Sequence, residues 1–171
     1  TFSMNNPGTK ITQKAKENKY AVISISSKNV GVVSLDLFAS PNSKRQILSE
    51  LFALTEQQEI HVDMIASSEA EVSFCIEEKH LANEKFLELF KEVCPFSFKK
   101  NRTVLCIVSP KDVTGQIGVA GRIFTSIAES GVSVEMYSQN ASEIAQLIVV
   151  KSSEAKKVIK NLHDKLVELA I

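Results

Sequence analysis

The stretch VDMIASSE, Val62 to Glu69, sets an acid one step into an apolar run and closes on Ser-Ser-Glu. Its opening triplet returns 72 residues later, where Val62-Asp63-Met64 falls on Val134-Glu135-Met136. The same shift brings Phe52 onto Phe124 and Glu71-Val72 onto Glu143-Ile144. One unit is written twice, and a fixed period constrains the architecture before any single element is assigned.

Around these triplets lie eight strand-like runs rich in β-branched or aromatic residues: YAVISIS, VVSLDLF, IHVDMIA, EVSFCIE, FSFKK, TVLCIVS, VSVEMYS and EIAQLIVV. Four stretches with apolar residues at i, i+3, i+4 read as helices: Ser43 to Gln58, His80 to Val93, Gln116 to Ser130 and Ser153 to Leu169. Ser43 suits an N-cap, Pro95 a stop after a helix, and Gly131 a C-terminal glycine. From Val32 the first copy runs strand, helix, strand, strand, helix, strand, the order of a ferredoxin-like sandwich. From Thr103 the second copy ends on a helix, one strand short, while YAVISIS stands spare ahead of the first. Inserting the first unit inside the second uses that strand. The expected fold is α+β, with two tandem ferredoxin-like βαββαβ units and antiparallel sheets carrying helices on one face. Residues 30–101 form the first unit, and residues 20–29 with 102–171 the second. Residues 1–19, polar and carrying Pro7-Gly8, read as a linker from a preceding domain, and a chain that starts at Thr1 reads as a piece of something longer.

With 44% hydrophobic residues in 171, the chain can bury one substantial core or two small ones. Twenty basic residues balance twenty acidic ones, so no net field draws it to nucleic acid or to an anionic membrane. Cys75, Cys94 and Cys106 are odd in number, contain no CxxC, and lie in or beside apolar runs, as reduced thiols of a cytoplasmic protein would. No apolar run approaches the ~20 residues that span a bilayer. His61, His80 and His163 lack metal-ligand spacing. Phe52, Phe86, Phe90 and Phe124 fall at helical spacing among aliphatics and read as core.

The second unit's GQIGVAGRIFTSIAESGVSVEMYSQNASEI, in a tandem of this size, resembles the paired ACT domains at the C-terminus of aspartate kinases. VDMIASSE is similar to that family's VDxIxTSE, and NNPGTKI, Asn5 to Ile11, to the segment leaving its kinase domain. The resemblance covers nearly the whole chain and points to the lysine-sensitive class. It implies an upstream kinase domain that uses ATP and magnesium to phosphorylate the β-carboxylate of aspartate. This portion would be non-catalytic and free of cofactors, would form a homodimer, and would sense an amino acid, lysine or also threonine.

An amino acid is a zwitterion, so its site needs an anion for the ammonium group and N–H donors for the carboxylate. Asp63 suits the first task, and the turn carrying Ser67, Ser68 and Glu69 adds acceptors, Glu69 for a second ammonium. The helix start from Ser43 through Lys44, Ile47 and Leu48 offers open amides, and Val62 flanks the acid. His61 alternates onto Asp63's face of the strand and reads either as pocket lining or as a surface histidine. The alternative for the whole set is a half-exposed strand end and a polar turn. The family's glycine at this helix start is absent from SPNSKRQIL, Ser40 to Leu48, so Lys44 and Arg45 read either as carboxylate holders or as solvated charges. The second unit carries Gly115, Gly118 and Gly121. Gln116, Ile117, Gly118 and Val119, with Gln139 and Asn140, form a candidate interface or ligand loop, and Gly121 is expected to permit tight helix-on-sheet packing. No nucleophile–base pairing or phosphate-cradling loop is present. The competing reading is an assembly module whose effector site has degenerated.

Overall fold

The computed structural model describes residues 22–167. The expected linker, NNPGTKI, and Tyr20-Ala21 of the first strand-like run lie outside the described residues, as do the last two residues of the expected final helix. Six strands form one antiparallel sheet: β1 (Ser24–Asp36), β2 (Met64–Ser67), β3 (Glu71–Ile76), β4 (Phe96–Val108), β5 (Met136–Gln139) and β6 (Ala145–Lys151). Their order is β2-β3-β1-β4-β6-β5.

The eight expected strands are six because two pairs fuse. YAVISIS and VVSLDLF are one strand of 13 residues, β1, and FSFKK and TVLCIVS are another of 13, β4. These two pair with each other from Ser24↔Val108 to Leu35↔Phe96, with one slip in register between Val30↔Arg102 and Val32↔Lys99. Two residues of β4 there oppose the single Gly31, and Asn101 takes the left-handed φ of 58° that such a bulge uses. Beyond the bulge β1 also pairs with β3, and beyond it on its own strand β4 pairs with β6. The first unit is therefore closed by the start of β4 and the second by the start of β1. The remaining strands are shorter than their apolar runs: of IHVDMIA only the end from Met64 joins the ladder, and of VSVEMYS the end from Met136.

Four helices cover one face: α1 (Lys44–Gln57), α2 (Glu84–Val93), α3 (Val119–Glu129) and α4 (Ser152–Leu162). The Ser43 hydroxyl accepts the N–H of Gln46 and starts α1. Asn83 does the same for α2 by accepting the N–H of Phe86, so the helix expected from His80 begins after a separate 3₁₀ turn, Glu78–Ala82. Gly131, at φ 66°, terminates α3. Under α1 and α2, Phe90 packs edge-on to Phe86 at 4.7 Å and lies 5.7 Å from Phe74, contacts worth about 1 kcal/mol each beyond the area they bury. A second core gathers Leu105, Ile107, Ile123, Ile127, Ile148 and Val158 under α3 and α4. Phe52, expected in the core, is half-exposed, and Phe124 is half-buried against the Tyr137 ring. Gly121 has open space where a Cβ would stand, so tight packing is not what it provides.

The opposite face is not flat. The sheet bends until its edge strands β2 and β5 touch, and the Cys75 thiol lies 3.9 Å from the Met136 sulfur. Val30, Val32, Met64, Cys75, Val104, Met136 and Val149 form a third apolar core inside that bend. Pairing also corrects the repeat. Ser67 faces Val72, whereas its counterpart Gln139 faces Gln146, so the second hairpin turn is two residues longer. Past it Cys75 corresponds to Val149, and the alignment of Glu71-Val72 with Glu143-Ile144 is out by two.

A methyl group on Gly31 would overlap Leu81 Cδ1, the end of a buried side chain that must shift to admit it. Gly31→Ala is expected to cost about 1–3 kcal/mol and to lower the thermal midpoint by several degrees. Leu81→Ala in the same chain should make the combined loss smaller than the sum of the two, measured by denaturant titration.

Candidate functional site

Asp63 extends the β2–β3 ladder by one bond, its N–H donating to the Cys75 carbonyl at 2.9 Å. Its side chain is 14% exposed and meets the Lys28 ammonium, which donates to Oδ1 at 2.8 Å. His61 Nε2, on a largely exposed ring, is 3.8 Å from the same oxygen, and Lys28 also reaches Glu77 at 3.5 Å. The hydrogen bond to Asp63, with both carboxylate charges behind it, raises the Lys28 pKa against the opposing effect of burial. Oδ2 of Asp63 is buried and carries no hydrogen bond. Burial first, and then the Asp63 charge, push the Cys75 thiol up to about 12, which makes it unreactive.

The second unit repeats this arrangement. The Glu135 N–H donates to the Val149 carbonyl at 2.9 Å, as Asp63 does to Cys75. Glu135 Oε2 accepts from Arg102 Nε at 2.9 Å and lies 3.5 Å from Lys99 Nζ. Lys99 and Lys28 are themselves counterparts, since Lys99 faces Val32 across the β1–β4 ladder and Lys28 faces Val104. Each unit's acid is thus met by a lysine from the strand that closes the other unit. Burial raises the Glu135 pKa, but the Arg102 hydrogen bond and the two positive charges outweigh it and hold the carboxyl below its ordinary range.

The structure separates the first-unit candidates into two groups. Ser68 is roughly 16 Å along the chain from Asp63 at strand spacing. Its hydroxyl accepts the N–H groups of Ala70 and Glu71, and its carbonyl accepts the Lys44 ammonium at 2.8 Å. Lys44 therefore ties the start of α1 to the Ser68 turn, Ser43 caps the helix, and Glu69 is exposed beside them. Ile47 is fully buried, and Leu48 and Val62 pack against the same core, so these three hold the scaffold. Asp63 stands apart, facing β1 and the second unit.

In the second unit, Gly118 caps α3 at φ 91° with no side chain over the first turn, whose amides stay open. Gln116, Gly118, Val119 and Gln139 line a cavity of about 180 Å³ with Glu143 and Gln146. Glu143 holds the loop by accepting the Gly115 N–H at 2.7 Å. Ile117 is almost fully exposed at the loop tip, and the Asn140 carbonyl accepts the Glu143 N–H. Reading the sequence alone missed Lys28, Glu143 and Gln146. Gln146 alone carried a signal, as a polar residue inside an apolar strand.

A second cavity, of about 200 Å³, lies beside Asp63 and is lined by Ser26, Ser27, Lys28, Val104, Cys106 and Leu147. Among the described residues no cluster of metal-ligating side chains occurs, and no helix is long and apolar enough to cross a membrane.

Residues 105–166 match the ACT domain family. The chain is similar to an aspartokinase of Schizosaccharomyces pombe, with 33% identity over 129 residues, 74% of this chain and 24% of that protein. It spans about a quarter of the length of such relatives. A putative C-terminal regulatory domain of aspartate kinase from Porphyromonas gingivalis superposes with a TM-score of 0.70 at 25% identity, over 85% of this chain and 98% of that one. Escherichia coli aspartokinase III in complex with lysine and aspartate shares the fold, with a TM-score of 0.73 at 20% identity over 90% of this chain and 35% of that one.

The Glu135 pair makes a pH prediction. A carboxyl held below its ordinary range stabilises the fold above its unfolded pKa and loses that contribution as pH falls through the folded value. Glu135→Gln is expected to cost about 2 kcal/mol at pH 7 and progressively less below about pH 4, in urea titrations at both pH values.

Proposed function

Starting from a chain that carries an ACT domain and is related to the regulatory regions of aspartate kinases, we propose that it senses an amino-acid end product, lysine first, for an aspartate kinase. The observation that carries this reading is Asp63, a buried carboxylate with one oxygen engaged and one bare. A bare buried acceptor is costly unless a donor arrives, and an ammonium group is the donor that also neutralises the charge. The E. coli relative, whose structure holds lysine and aspartate, supports the choice of ligand class.

In this proposal residues 30–101 are the first ACT unit, residues 20–29 with 102–171 the second, and residues 1–19 the linker from a kinase domain. That domain would bind ATP and magnesium and transfer the γ-phosphoryl group to aspartate in the cytoplasm; neither nucleic acid nor membrane takes part. In this reading the chain also forms a homodimer. An effector that binds one dimer arrangement better than another shifts the population between them, and coupling of this kind is typically ~1–3 kcal/mol. A second reading is an assembly module without a working sensor. The hydrogen bond from Lys44 to the Ser68 carbonyl favours it, because the chain's own groups close the first-unit loop.

Titration calorimetry of the chain with lysine, and separately with threonine, decides between the two. Saturable heat that Asp63→Ala weakens by about tenfold or more is the expected outcome, since a charged hydrogen bond is removed. A folded dimer that gives no heat with either amino acid would leave the assembly reading in possession.

A further inference from the structure

We propose that the 3₁₀ turn Glu78–Ala82, with Glu77 before it, is a releasable clasp on the β1–β4 bulge, and that the two units hinge there when it opens. The proposal holds whether or not the chain senses an amino acid. A long antiparallel pair resists bending because its residues are tied across the ladder at regular intervals, and that register breaks where Lys100 and Asn101 oppose the single Gly31. The turn sits on this break and holds both strands. The buried Leu81 lies over Gly31, where a Cβ would meet its Cδ1. Glu78 Oε2 accepts the N–H of Asn101 at 2.6 Å, which ties the left-handed bulge residue to the turn. Glu77 reaches Lys28 at 3.5 Å, on the half of β1 that closes the second unit. Three residues of the first unit thus grip the slip itself and the strand half beyond it.

The second unit has no such turn. There β6 passes straight into α4, and the Thr103 hydroxyl lies 3.0 Å from Asn29 Oδ1 and 2.9 Å from Ser152 Oγ, short side chains on continuous elements. The contacts of the turn are of another kind. A carboxylate on an exposed amide, an ion pair between half-exposed groups and a side chain over a glycine can part and re-form without unfolding a helix or a strand. Parting them frees the bend. Inside that bend the third core sets Met64 and Cys75 of the first unit against Met136 and Val149 of the second, with Val30, Val32 and Val104 on the strands that flank the slip. Hinging separates Cys75 from Met136, 3.9 Å apart in the closed form, while the core under α1 and α2, which holds Cys94, moves as one body.

Alkylation by iodoacetamide, mapped by peptide mass, reads the hinge, because Cys75 and Cys94 are both buried but in different cores. The half-buried Cys106 should react in every sample and checks the reagent. In the unaltered chain the Cys75 rate should be nearly flat at low urea, since a small opening exposes little surface, while the Cys94 rate climbs with the slope of global unfolding. Glu78→Ala deletes the acceptor and should raise the flat Cys75 rate about tenfold; Glu78→Gln keeps an acceptor oxygen and should stay within about threefold of the unaltered chain. Val158→Ala, a cavity in the core under α3 and α4, is the control for plain destabilisation. It should speed Cys94 and leave the flat Cys75 rate within about twofold, because the hinged form keeps that core. A Cys75 rate that climbs with urea as steeply as that of Cys94, or that rises with it in Val158→Ala, overturns the hinge. A flat rate that Glu78→Ala leaves unchanged overturns the clasp.

Discussion

Strands β1 and β4 run antiparallel over nearly their whole length of 13 residues each and slip by one residue at the middle, where Gly31 faces the bulge at Asn101. On one side of that slip the pair closes the core under α1 and α2, and on the other the core under α3 and α4. The second unit has no complete sheet without the start of β1, which precedes the whole first unit in sequence, and the two sheets share both long strands. A unit unfolding alone would strip an edge from the other and expose an unpaired ladder, so the two are coupled through main-chain hydrogen bonds rather than through a side-chain interface. Leu81 lies close over Gly31, where a Cβ would meet its Cδ1.

The bend that follows from this shared pair brings distant charges together. Asp63 and Glu135 occupy the same position in the two repeats, each one residue before an edge strand and each crossing to a lysine of the opposite unit. What differs is the number of donors. Glu135 takes both Arg102 and Lys99 on Oε2, whereas Asp63 takes Lys28 on Oδ1 and has Oδ2 buried without a partner.

The two loops that precede α1 and α3 diverge in a comparable way. The glycine-free SPNSKR loop engages side chains of its own, Ser43 on the Gln46 amide and Lys44 on the Ser68 carbonyl. Gly118 leaves the α3 amides uncovered, and Glu143 braces the loop from outside. Where a side chain is available to cap a helix, it removes the open donors that a ligand would use.

The repeat, the helix starts at Ser43 and the stop at Gly131, and the need to insert one unit in the other were all legible in the chain, because periodicity and capping are local properties. Fusion of eight runs into two long and four short strands was not, since it depends on β1 and β4 pairing through a bulge between segments about 70 residues apart. The two-residue slip in the second hairpin was equally hidden, because a period-2 pattern looks the same after a shift of two. Phe52 reads as core by spacing and ends half-exposed on α1. Asp63 stood out as an acid in an apolar run. Its partner Lys28, 35 residues earlier, did not, because only the bend of a completed sheet brings the start of β1 beside the residue that precedes β2. Residue order thus determined the units and their nesting, while the meeting of charges across them was decided by the curvature of a sheet that exists only once both units are folded.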